Sequence, residues 1–137
     1  MTGRVVLDAS AAVRLVLGLG GAESIAEVLE RAAVVLAPDL FHAEVANALW
    51  KYCRGQHIRV EEALAHRETA AALVDREVPT EDLAREALWE ASNRSHPVYD
   101  LLYLVLARRF GCAVCTADRK LASLARQMGL PVAEIQE

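Results

Sequence analysis

Aromatic residues are scarce: two Trp, three Tyr and two Phe make up 5% of a 137-residue chain that is 54% hydrophobic. The core therefore has to be aliphatic, built from Ala, Val and Leu. No apolar run approaches the roughly 20 residues that span a bilayer; the longest, Leu101 to Ala107, is far shorter. No basic segment leads into an apolar one at the N-terminus, so nothing there reads as a secretory signal. A cytoplasmic location without membrane association is the expectation. An excess of basic charge is also missing: 15 Lys and Arg stand against 19 Asp and Glu, a net charge of −4. That excludes a uniformly cationic nucleic-acid-binding surface but leaves room for a local one. The length suits one domain, residues 1–137, and is too short for two independent cores.

Cysteine is equally sparse. Cys53, Cys112 and Cys115 are an odd number with no secretory context, which points to free thiols. Cys112 and Cys115 have the C-x-x-C spacing, yet they lie in a short run that reads as a strand. Residues three apart on a strand point to opposite faces, so the sulfurs should diverge. A zinc ribbon would need a second pair, and there is none. Both read as small buried hydrophobes.

What is present is an alternation of short β-branched runs with longer helical patterns. Strands are predicted at Arg4–Asp8, Ala33–Ala37 (stopped by Pro38), Glu77–Val78, Cys112–Thr116 and, at an edge, Pro131–Ile135. Helices are predicted at about 9–17, 22–31, 40–54, 60–75, 80–93, 98–110 and 119–128, with Thr80 as an N-cap and Gly111 closing its helix. Apolar strands separated by helices imply a parallel sheet of four to five strands covered on both faces, a three-layer α/β/α sandwich.

Four acids stand out. Asp8 ends the first strand and Asp118 follows the strand ending at Thr116, and parallel sheets bind ligands beyond the carboxyl ends of their strands. Taken alone, either reads first as a helix N-cap or turn residue. Asp100 stacks with Leu104 and Ala107 on a helix that is apolar on nearly every side, so its carboxylate emerges from an apolar face and needs a cation or hydrogen-bond partner. Glu44 sits at the edge of the stripe Phe41, Val45, Leu49 and Tyr52, with Ala48 rather than a base one turn on and Asn47 near enough to offer its amide. Three or four converging carboxylates repel one another, and an all-oxygen set of this kind suits Mg²⁺ or Mn²⁺.

The segments Val6-Leu-Asp8-Ala-Ser10, Ala43-Glu44-Val-Ala-Asn47, Tyr99-Asp100-Leu-Leu-Tyr-Leu-Val-Leu-Ala and Thr116-Ala-Asp118-Arg-Lys-Leu occur in that order. Together they resemble the acidic motifs of the PIN-domain family, most closely its VapC-type toxin branch, over essentially the whole chain. About 57–94 carries no such signature. The resemblance implies a PIN-like fold and a Mg²⁺- or Mn²⁺-dependent endoribonuclease, the toxin of a type II toxin–antitoxin pair. It further implies a homodimer and a VapB-like antitoxin partner. Asp8, Glu44, Asp100 and Asp118 would then be the catalytic, metal-binding acids, with Ser10, Asn47 and Thr116 in polar supporting positions. Hydrolysis of RNA would leave a 5′-phosphate and a 3′-hydroxyl without using the ribose 2′-OH.

Arg14, Arg119 and Lys120 are candidates for phosphate contacts, although a solvated helix face is the plainer role for each. His42 and His96 show no pairing that would suit metal-free chemistry. Other α/β readings fit less well. Position 10 is Ser where a haloacid-dehalogenase phosphatase needs a second Asp, and a receiver domain needs an acidic pair after the first strand. Gly18-Leu-Gly-Gly21 lacks dinucleotide-binding spacing, and no G-x-S-x-G elbow is present. The alternative from another class is a non-catalytic PIN-like module that binds RNA or protein.

Overall fold

The computed structural model describes residues 3–136. Four parallel strands, β1 (Arg4–Leu7), β2 (Val34–Pro38), β3 (Arg76–Val78) and β4 (Ala113–Cys115), form a sheet in the order β3-β2-β1-β4. The chain steps from β1 outward to β2 and β3, then returns to place β4 on the other side of β1. The point of reversal between β1 and β4 is where such sheets open a crevice at their carboxyl ends.

Alternate strand residues feed opposite cores, as a period of two requires. Val6, Leu36, Val78, Cys112 and Val114 pack under α5 (Thr80–Arg94), α6 (Val98–Phe110) and α7 (Arg119–Gln127). Val5, Leu7, Val35, Ala37 and Cys115 pack under α1 (Ala9–Leu17), α2 (Ala22–Arg31), α3 (Leu40–Arg54) and α4 (Val60–Ala72). The three-layer α/β/α sandwich is thus observed, and Cys112 and Cys115 lie in different cores as free thiols. Burial pushes the Cys115 thiol up to about 12, with the Asp8 charge adding to the effect. No helix among the described residues is long and apolar enough to cross a membrane.

The differences from expectation have local causes. Helix α4 stops at Ala72 rather than Asp75, because Asp75 pairs with β2: its N–H donates to the Val35 carbonyl and its carboxylate accepts the Val35 N–H, both at 2.8 Å. Strand β2 includes Pro38, opposite Val78, and the Asp39 N–H then donates to the Val78 carbonyl. Thr80 is the first residue of α5 rather than its cap; its N–H and hydroxyl both donate to Asp39 Oδ1, so the cap arrives from the end of β2. The expected strand at Pro131–Ile135 is reduced to one parallel bridge, Val132 beside Val114. Gly111, at φ +66°, takes the left-handed turn that ends α6.

Candidate functional site

The register of β1 and β4 builds the site. Leu7 lies opposite Cys115, and the Asp8 N–H donates to the Cys115 carbonyl at 3.0 Å, so the next residues on the two strands, Asp8 and Thr116, emerge side by side. Thr116 Oγ1 donates to Asp8 Oδ2 at 2.7 Å, and Ser10 Oγ donates to the same oxygen. Ser10 Oγ accepts from the Ala117 N–H at 3.1 Å, and Thr116 Oγ1 accepts from the Asp118 N–H at 3.0 Å. The two hydroxyls therefore stitch the turn after β4 to the turn after β1.

Asp8 occupies the N-cap position of α1 but makes no side-chain capping bond there. It is only 7% exposed, and no cation pairs with it among the described residues. Burial raises its pKa above the ordinary carboxylate value; the Ser10 and Thr116 hydroxyls oppose the rise, while the Asp100 and Asp118 charges add to it. A buried carboxylate that leaves its helix cap unmade and lies near other acids marks a candidate functional site.

The remaining acids converge from three further elements. Asp118 does cap a helix: its Oδ1 accepts the Lys120 and Leu121 N–H groups of α7 at 2.9 and 3.3 Å. Asp100, in the first turn of α6, is half-buried rather than core-facing, and its Oδ2 lies 3.5 Å from His96 Nε2. Burial raises its pKa, Asp118 adds to the rise and His96 opposes it. Glu44, from α3 on the opposite layer, accepts a 2.6 Å hydrogen bond from the hydroxyl of Tyr103. Burial raises the Glu44 pKa, the Tyr103 bond opposes, and Asp8 and Asp100 add to the rise. Asp8 and Asp100 are thus each within electrostatic reach of both Glu44 and Asp118 at one edge of the sheet.

Among the described residues, no three His, Cys, Asp or Glu side chains stand close enough together to hold one ion directly. Each acid instead turns one oxygen toward a protein partner: Ser10 and Thr116 for Asp8, Tyr103 for Glu44, His96 for Asp100 and the α7 amides for Asp118. The donor set, oxygens only with mutual repulsion unrelieved, fits a hard divalent ion that keeps much of its water and takes one or two carboxylates directly.

Asn47 is exposed and the hydrogen bond to Glu44 comes from Tyr103 instead. Tyr103, 1% exposed, and His96 are the residues that motif reading passed over. The signal for Tyr103 was a phenol on a helix buried all round, one turn beyond Asp100, whose hydroxyl had to find an acceptor. His42 pairs with Glu77 at 3.0 Å and does not join the acids.

Residues 5–127 match the PIN domain, and the chain belongs to the PIN-domain family. It is 30% identical over 121 residues to Ribonuclease VapC3 of Pyrobaculum aerophilum, covering 87% of this chain and 92% of that protein. Its fold is similar to the crystal structure of PAE2754, also from Pyrobaculum aerophilum, with a TM-score of 0.68 and 25% identity over 90% of this chain and 86% of that one.

Proposed function

We propose that this protein is a divalent-metal-dependent endoribonuclease and the toxin of a toxin–antitoxin pair. The observation that carries the reading is Asp8, a buried carboxylate with a raised pKa at the β1–β4 switch point, facing Asp100 and Asp118. The likeness to a protein named a ribonuclease supports the substrate class. Asp8 and Asp100 would hold a Mg²⁺ or Mn²⁺ ion, with Asp118 and Glu44 binding it directly or through water. When bound, the ion supplies Lewis-acid polarisation of a phosphodiester and lowers the pKa of the attacking water.

The chain's own groups prepare that chemistry. Ser10 and Thr116 hold Asp8 Oδ2 in place and favour its ionised form against the burial that disfavours it. Tyr103 fixes Glu44 at the opposite wall of the crevice. Glu44, whose pKa burial raises, is suited to accept a proton from a water beside the phosphate. Asn47 is exposed and Tyr103 supplies the Glu44 hydrogen bond, so a role for Asn47 toward substrate or partner is the reading that fits.

The test is cleavage of single-stranded RNA by the purified chain with Mg²⁺ or Mn²⁺, against excess chelator, and with Asp8→Asn and Asp100→Asn. Cleavage is expected only with metal and only in the unsubstituted protein, accompanied by a rise in melting temperature on adding Mn²⁺ that both variants lose. Cleavage that persists in chelator or in Asp8→Asn refutes the reading. A protein that neither cleaves RNA nor responds to Mn²⁺ would be a non-catalytic module. Growth arrest on expression, relieved by a co-expressed antitoxin, tests the toxin role, and light scattering tests the homodimer.

A further inference from the structure

Helix α7 presents three faces, set by helical periodicity. Leu121, Leu124 and Ala125 are buried against the sheet. Arg119, Ala122 and Arg126, at spacings of three and four, line one groove of about 510 Å³ together with Arg14, Thr116 and Asp118. Lys120, Ser123 and Gln127, at the same spacings one residue on, line a second groove of about 400 Å³ with Arg94 and His96. Arg119 borders both. The N-terminal end of α7, where Asp118 joins the acidic site, therefore sits between two grooves that each carry cations.

The groove cations are not equally available, and Arg94 of the second groove is already paired. Arg94, Arg108 and Arg109 are neutralised by Glu86 and Glu90 across α5 and α6. Among the described residues, Arg14, Arg119, Lys120 and Arg126 form no ion pair; Arg14 donates Nη1 to the Gly20 carbonyl at 2.9 Å, which steadies the guanidinium at the groove wall and leaves its other N–H groups available. The first groove also contains Glu134, so its positive charge is partly offset. On an acidic protein, paired basic grooves flanking an acidic centre suit a polyanion that passes through rather than a small anion that stops.

We infer that a single RNA strand runs along the first groove from Arg126, in the last turn of α7, past Arg14, and crosses the N-terminal end of the helix at Arg119 toward Lys120. This placement rests on the ribonuclease reading for the identity of the polymer. It brings one phosphodiester of the strand to Asp8, Asp100 and Asp118 while the phosphates on either side bind cations, so both flanks of the cut contribute to affinity.

Binding of a labelled single-stranded RNA of about a dozen nucleotides, a length within the usual range for such grooves, can be followed by fluorescence anisotropy in excess chelator across a salt series. Arg126→Gln and Lys120→Gln are each expected to weaken binding roughly three- to tenfold and to lower the slope of log affinity against log salt by about 0.7. Arg119→Gln should do at least as much as either. Arg85→Gln, on an exposed position of α5 beside Leu88 and Trp89, is the control and should match the unsubstituted protein. Affinity and salt slope equal to the control in both Arg126→Gln and Lys120→Gln overturn the inference, as does an unsubstituted protein that binds no RNA. The two readings fail separately. Binding through these residues without cleavage in Mn²⁺ refutes the nuclease and keeps the path, whereas cleavage unaffected by both substitutions refutes the path and keeps the nuclease.

Discussion

The hydroxyl of Tyr103 donates to Glu44 Oε1 at 2.6 Å, joining α6 on one face of the sheet to α3 on the other. Burial, then the charges of Asp8 and Glu44, push the phenol pKa far above its ordinary value, so the hydroxyl remains a donor throughout the pH range of the folded protein. Tyr103→Phe keeps the ring and removes the donor. It should cost about 1–3 kcal/mol in urea unfolding, because a half-buried carboxylate loses its partner. It should also lower cleavage by about 10–100-fold, the usual effect of losing a residue that orients a metal-site ligand, and raise the Mn²⁺ needed for half-maximal cleavage. A variant with lowered stability but unchanged cleavage and Mn²⁺ requirement would reduce Tyr103 to a core residue.

Thr116→Val tests the clamp on Asp8. The Thr116 hydroxyl lowers the Asp8 pKa, so its removal lets burial raise that pKa further. The acidic limb of the pH–rate profile should move to higher pH, with a stability loss of about 1 kcal/mol. Thr116→Ser, which restores the donor, should return the limb toward its original position. An unmoved limb in the Val variant would show that Asp8 ionisation does not control the rate.

Burial, with charge repulsion adding to it, sets the pH dependence of stability that these acids give the metal-free protein. Asp8, Glu44 and Asp100 all have folded pKa values raised above the unfolded ones. Their contribution is present in full below the ordinary carboxylate range, about 4, and is lost as pH rises through the raised values. Asp8→Asn should therefore melt at or above the unsubstituted protein at neutral pH in chelator, with the difference shrinking as pH falls toward the ordinary carboxylate value. A variant that melts well below it at neutral pH would identify Asp8 as a structural hydrogen-bond acceptor.

Glu90 carries the opposite sign. It is buried on α5 and accepts from Arg94 Nε at 2.9 Å and Arg108 Nη1 at 2.7 Å, and these hydrogen bonds hold its pKa below the ordinary value. Stability from this group is present above the unfolded Glu pKa and disappears as pH falls through the folded one. Glu90→Ala should cost about 1–3 kcal/mol at neutral pH, discounted because both arginines keep contact with water. The cost should fade in acid, and RNA cleavage should be unchanged. Loss of cleavage in a well-folded Glu90→Ala protein would mean that the α5–α6 ion network reaches the acidic site.

Much of this was legible in the chain. The helices at Ala9–Leu17, Leu40–Arg54 and Val98–Phe110 follow directly from apolar periodicity bounded by an acid, a proline or a glycine. Asp8, Glu44, Asp100 and Asp118 were visible as a set, although each alone had a plainer reading, and Asp118 does cap α7. The ends of α4 and the last strand were not, because Asp75 could be assigned to β2 only once Val35 was its neighbour, and a run around Val132 becomes a strand only if enough partners line up along β4.

Sequence by itself determined the alternation of strands and helices, the aliphatic core and the set of four carboxylates, since these depend on residue type and local spacing. Tertiary structure alone decided which oxygens meet which donors. The Leu7–Cys115 register delivers Thr116 to Asp8, and the closure of α3 and α6 over the sheet delivers Tyr103 to Glu44. Both contacts join residues distant in the chain, where hydrogen-bond geometry is fixed by packing and leaves no periodic trace in the sequence.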